Sequence, residues 1–202
     1  ASRGLGDVYK RQVSYSRIKE LDAGGWFSQV YEGEPVPTLE EVIKEIGPFA
    51  KLNIEIKYNK KESDITEYVV DIIERNDFVD RCVVTSSDYT VLHEVKELNP
   101  DIQTGYVLSA AYGAYYSIGY VDVISINYSF VNKALVDAVH RYGKEIYVWT
   151  VNSPSIVKSL ANMGVDNIIT DDPVMAREAV YSRYTGKKLV NILDYVFSMN
   201  GY

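Results

Sequence analysis

In the run Leu52-Asn53-Ile54-Glu55-Ile56-Lys57, apolar and polar side chains alternate. Read as a β-strand, with its period of two, it puts Ile54 and Ile56 on one face and Asn53, Glu55 and Lys57 on the other. In a parallel sheet covered by helices both faces are buried, and an isolated buried charge is very costly, so Glu55 and Lys57 must find partners. A metal or an anionic substrate meets that need. So does a plain Glu55–Lys57 ion pair, or an edge strand with one wet face, and the pattern leaves these open. The same parity returns later in the chain: Ser125 and Asn127 oppose Ile124 and Ile126, and Tyr147 and Trp149 oppose Ile146 and Val148. Polar and aromatic groups at the C-terminal ends of parallel strands are where barrel active sites are assembled, so Trp149 reads either as core or as a substrate wall.

These residues need elements to carry them, and short β-branched runs alternating with amphipathic segments supply a parallel sheet with helices on it. Six strands are predicted: 52–57, 82–86, 104–108, 123–127, 146–151 and 167–170. Helical patterns cover 65–74, 91–98, 132–142, 155–162 and 174–184. Gly143 and Gly164 stand where helix C-caps belong, and Pro154 and Pro173 follow Ser153 and Asp172 as first-turn prolines behind N-caps. Ahead of the first strand, Thr38-Leu39-Glu40-Glu41 has the form of a capping box. Six such units make either an open doubly wound sheet or six-eighths of a barrel, and their spacing does not choose between the two.

Composition narrows the function classes. At 202 residues, with 47% hydrophobic and 24% charged side chains, the chain reads as one soluble globular domain. A net charge of -7, without a basic run, argues against nucleic acid as a partner. The single cysteine, Cys82, excludes an intrachain disulfide. No apolar stretch approaches the roughly 18 residues of a membrane span. The two histidines, His93 and His140, fall in mid-helix patterns as surface or packing residues.

Four short motifs then occur in order: Leu21-Asp22-Ala23-Gly24, Trp26-Phe27, Val36-Pro37-Thr38-Leu39-Glu40-Glu41-Val42 and Leu52-Asn53-Ile54-Glu55-Ile56-Lys57. Val148-Trp149-Thr150-Val151-Asn152 and Gly164-Val165-Asp166-Asn167-Ile168-Ile169-Thr170-Asp171-Asp172-Pro173 follow them. Together they resemble the glycerophosphodiester phosphodiesterase (GDPD) family over about Ile18 to Arg177. The resemblance implies a TIM (β/α)8 barrel of the PLC-like phosphodiesterase type, with about six of its eight units in this chain. It implies hydrolysis of a glycerophosphodiester to glycerol 3-phosphate and an alcohol, with a divalent metal ion, Ca or Mg. Glu55 then corresponds to a metal ligand, Lys57 to the catalytic lysine that stabilises charge on the phosphate, and Trp149 to a residue lining the glycerol pocket.

The family's opening H-R-G, its E-x-D metal pair and its following H-D precede the L-D-A-G motif and are absent here. The expectation is therefore a partial barrel over 13–184, with 185–202 as a terminal helix and 1–12 as non-family residues. Asp7 to Gln12 resemble translated adapter sequence, which suggests a truncated reading frame; a natural short paralogue is the alternative. Such a chain is expected to be inactive by itself and to associate through its two open sheet edges. A non-catalytic binding module and a phospholipase-type lipid phosphodiesterase are the alternative functions. Compartment stays open, because the family's members are cytoplasmic, exported or tethered to a membrane through an upstream part. The tyrosines at 112, 115, 116 and 120 could meet lipid headgroups or simply pack, and Lys187 to Phe197 has amphipathic spacing suited to closing the barrel.

Overall fold

The β-branched runs form the strands and the amphipathic runs form the helices of a computed structural model, which describes residues 13–57, 64–109, 113 and 115–181. The chain divides into two compact units, residues 1–50 and 51–202. The readings made at residues 1–12, at Tyr112 and over 182–202 lie outside the described residues.

In the first unit, Thr38 caps α1 (Leu39–Ile46) as a capping box. The Thr38 hydroxyl accepts from Glu41 N at 3.2 Å, and the Glu41 carboxylate accepts from Thr38 N at 2.7 Å. The L-D-A-G motif is a tight turn in which Asp22 Oδ1 accepts from both Gly24 N and Gly25 N at 2.8 Å.

The second unit is built on one six-stranded parallel sheet: β1 (Leu52–Glu55), β2 (Cys82–Ser86), β3 (Gln103–Leu108), β4 (Val123–Asn127), β5 (Glu145–Trp149) and β6 (Asn167–Ile168). Between the strands run α2 (Ile65–Arg75), α3 (Tyr89–Leu98), α4 (Lys133–Arg141) and α5 (Pro154–Met163), and residues 173–181 form α6. The spatial order is β1-β2-β3-β4-β5-β6, each strand beside its predecessor. A doubly wound sheet reverses its order at a switch point; this one never does, which makes it a singly wound, barrel-type sheet.

The predicted cap positions recur, although Ser153, ahead of Pro154 at the start of α5, makes no side-chain capping bond. Gly164 closes α5 in the left-handed region at φ 90°, Gly143 follows α4 at φ 70°, and Asp172 Oδ1 accepts from Met175 N at 2.9 Å to start α6. The core lies between the sheet and its helices. Ile124, Ile126, Ile146 and Val148 meet Leu92, Val136, Val139, Val157 and Leu160 there, all fully or nearly fully buried.

The crossover from β3 to β4 is the exception among the described residues, since only a single 3-10 turn, Tyr115–Ser117, interrupts it. Tyr115 is buried in the core, with Tyr116 and Tyr120 packed against it. Packing, rather than exposure to a headgroup, is therefore the role of these three tyrosines.

At the N-terminal ends of the strands, two aspartates close the same ring of hydrogen bonds. Asp122 N donates to Thr104 O at 2.9 Å while its carboxylate accepts from Thr104 N at 2.8 Å. Asp166 N donates to Ile146 O at 3.2 Å while its carboxylate accepts from Ile146 N at 2.8 Å. Each carboxylate also takes a side chain from a helix: Lys96 of α3 and His140 of α4, both at 2.8 Å.

Candidate active site

Burial along Leu52 to Lys57 alternates as the period of two requires: Ile56 is buried, while Asn53, Glu55 and Lys57 are exposed on the other face. Parallel pairing carries that face across the sheet. Glu55 is in register with Thr85, Thr85 with Gly105, and Gly105 with Val123; further along, Ser125 is in register with Tyr147 and Asn127 with Trp149. Thr85 Oγ1 confirms the shared face by donating to Asn53 Oδ1 at 2.9 Å. Gly105 is needed here for its lack of a side chain: a Cβ would stand 2.7 Å from Thr85 Cγ2 and 3.3 Å from Val123 Cβ.

Glu55 and Lys57 lie 4.0 Å apart at the C-terminal end of β1, with side chains 44% and 70% exposed. The expectation of buried charges therefore needs correcting. Among the described residues β1 pairs with β2 alone, and the exposure of both side chains shows that the charges are solvated. Of the sequence alternatives, the ion pair and the edge strand with one wet face are what the described residues show. Trp149, on β5 with three strands between, is half-buried, and its indole Nε1 is enclosed without an acceptor among the described residues. A buried donor left without a partner is rare enough in native proteins to need a reason.

Beside Trp149 on the same strand face, burial and the adjacent Glu145 carboxylate push the Tyr147 phenol up to about 12. Because the folded value lies above the ordinary 10, the folded state holds this proton longer than the unfolded chain does. The stabilisation is complete below pH 10 and is lost as pH rises from 10 toward 12. Absorbance titration of phenolate should show a late-ionising tyrosine that disappears in Tyr147→Phe; an unchanged curve would refute the assignment.

One polar device escaped the sequence reading although its residues stand in the quoted motifs. Asn152 Oδ1 accepts from Thr170 Oγ1 and from Asp171 N, both at 3.0 Å, and Asn152 Nδ2 donates to Asp171 Oδ2 at 2.7 Å. These bonds tie together the loops after β5 and β6, at the end of the sheet where Trp149 stands. An asparagine three residues past a strand and an aspartate at the same place after the next strand are the signal that could have found it.

The histidines stay where the sequence put them, on helices. His93 meets Glu97 at 3.5 Å and the Tyr120 ring at 4.9 Å. His140 holds Asp166 at the N-terminal end of the strands, opposite Trp149. A cavity of about 700 Å³ lies along α5 and α6, lined by Val157, Gly164, Asp166, Ala176 and Arg177 among others, and includes none of Glu55, Lys57 and Trp149.

A singly wound β/α sheet, each strand beside its predecessor, is the framework of a (β/α) barrel. The family model for the glycerophosphoryl diester phosphodiesterase family matches residues 4–175, and the chain belongs to that family. A glycerophosphodiester phosphodiesterase of Caldanaerobacter subterraneus is 30% identical over 173 residues, covering 83% of this chain and 71% of that protein. One of Bacillus altitudinis is 28% identical, covering 81% and 70%. Among solved structures, an Oleispira antarctica phosphodiesterase in complex with the product sn-glycerol-3-phosphate superposes with a TM-score of 0.77 at 27% identity, covering 84% of this chain and 71% of that one. The sheet is accordingly an incomplete TIM barrel.

Enzymes of this family use a divalent metal. Among the described residues no group of three or more His, Cys, Asp or Glu gathers to hold one. Glu55 offers a single carboxylate with a lysine beside it, and Ca²⁺ wants about 6 to 8 oxygens, so these residues do not by themselves make the site. No helix of the described residues is long and apolar enough to cross a membrane.

Proposed function

We propose that this chain carries part of the active site of a glycerophosphodiesterase, which hydrolyses a glycerophosphodiester to glycerol 3-phosphate and an alcohol. The observation that carries the reading is the Glu55–Lys57 pair at the C-terminal end of β1, on the sheet face that Trp149 shares. In this reading Lys57 stabilises negative charge on the phosphate, and its exposure leaves the ammonium accessible to an anion. Glu55 supplies one carboxylate to a divalent cation, Ca or Mg, whose other ligands are not among the described residues. Trp149 walls the glycerol subsite with its half-buried ring. The printed names of the relatives and the product complex of the Oleispira enzyme support the substrate class.

The isolated chain is proposed to bind product without turning substrate over, because neither histidine reaches this face. Calorimetry with sn-glycerol 3-phosphate tests the site. Lys57→Ala should weaken binding by about 1.5–3 kcal/mol, the worth of a charge-assisted hydrogen bond, roughly a tenfold or greater loss. Undiminished affinity in that variant would remove Lys57 from the site.

A further inference from the structure

Given the function proposed above, on which this rests, we propose that Asn127 is a further specificity-determining residue, its amide NH₂ donating to a hydroxyl of the substrate's glycerol group. Asn127 ends β4 and stands in register with Trp149 at the end of β5, on the same face of the sheet. Neighbouring strands lie about 5 Å apart, so a ligand against the Trp149 ring lies within reach of Asn127. Along β4 this face passes from Ser125, only 2% exposed, to Asn127, which is half-buried. Asn127 is therefore the first side chain on that face of β4 that a ligand entering at the C-terminal ends of the strands would meet.

The amide is held in one orientation. Asn127 Oδ1 accepts from Ser129 N at 2.9 Å and from Ser129 Oγ at 2.7 Å. A main-chain N–H can only donate, so the atom that meets it must be the carbonyl oxygen, and the NH₂ is turned away from these bonds. That NH₂ has no acceptor among the described residues. The asparagine thus serves twice: its oxygen builds the turn that opens Tyr128–Phe130, and its nitrogen is left for a ligand. A donor fixed in this way loses less freedom on binding than one that rotates. Position selects its partner on the substrate. β4 adjoins β5, which carries Trp149, whereas β2 and β3 separate it from the Glu55–Lys57 pair on β1. The NH₂ therefore meets the glycerol end of the substrate rather than its phosphate.

Calorimetry of the 202-residue chain with sn-glycerol 3-phosphate and with propyl phosphate, which keeps the phosphate and carbon chain but lacks both hydroxyls, tests the assignment. The parent should prefer glycerol 3-phosphate. In Asn127→Ser and Asn127→Thr the new hydroxyl can still accept from Ser129 N, so the turn persists while the NH₂ is gone. Both variants should lose about 3- to 10-fold in affinity for glycerol 3-phosphate, the worth of one neutral hydrogen bond, and bind propyl phosphate as before. Ser129→Ala, which loosens the same turn but leaves the NH₂ in place, should keep the preference, and melting curves report whether each variant folds. Lys57→Ala should weaken both ligands alike, which tests the phosphate contact separately. An unchanged preference in a folded Asn127→Ser or Asn127→Thr, with Lys57→Ala still weakening both ligands, would overturn the role of Asn127 and leave the function standing. A parent that binds both ligands equally would overturn that role too, and one that binds neither would overturn the proposed function with it.

Discussion

Glycerophosphocholine incubated with this chain and excess Mg²⁺ or Ca²⁺ is expected to be hydrolysed at least about 10²- to 10⁴-fold more slowly than by a full-length relative, the range for one missing general acid or base. The reason is positional. Displacement at phosphorus needs a proton donor for the leaving alcohol and an acceptor for the attacking water, and the sequence holds only two imidazoles. One sits on α3 against Tyr120, and the other binds Asp166 at the wrong end of the strands. The deficit in charge neutralisation adds to this, since Glu55 alone makes a poor cation cage. Release of choline, followed beside the Bacillus altitudinis relative under the same conditions, measures the ratio; rates within tenfold of each other would mean that other groups do the chemistry.

Lys144→Ala is expected to destabilise the second unit by about 2–4 kcal/mol, because two carbonyls lose a charged donor in a buried setting. Lys144 is only 9% exposed, and its ammonium donates to Ile118 O at 2.6 Å and to Val121 O. Burial pushes its pKa down, the Asp122 carboxylate works against that shift, and Lys96 adds to it. The ammonium therefore stitches the start of β5 to the segment just before β4. Guanidinium denaturation should show the midpoint falling with little change in slope, and Tm should drop by roughly 5–15 °C. Lys144→Met, which keeps the apolar stem, should recover less than half of the loss. A variant as stable as the parent would show that water takes over both carbonyls at no cost.

The elements were legible because their signals are local. Val and Ile runs, Thr38 with Glu41, Pro154, and Gly164 each fix a conformation within a few residues. Strand ends were harder: β1 stops at Glu55 and β6 at Ile168, short of the predicted Lys57 and Thr170, because an edge strand has fewer ladder bonds to extend it. The barrel-type winding was not readable from spacing, since strand order depends on which neighbours pair, and the family resemblance supplied it. Glu55, Lys57 and Trp149 could be picked out by parity and motif. Their exposure could not, because it depends on whether another strand lies beside β1. Asn152 was missed because a side chain bridging two loops leaves no periodic trace.

The paired rings at Asp122 and Asp166 have a consequence for how such a protein can change. Each locks the alignment of two neighbouring strands from below, using one carboxylate and one main-chain bond within the same residue. A slip of one position would part the carboxylate from its amide and turn every side chain to the opposite face. Insertions or deletions in the loops above β3 and β5 can therefore be absorbed without shifting the alignment beneath them. The upper rim is free to be remodelled for new leaving groups while the floor keeps the frame.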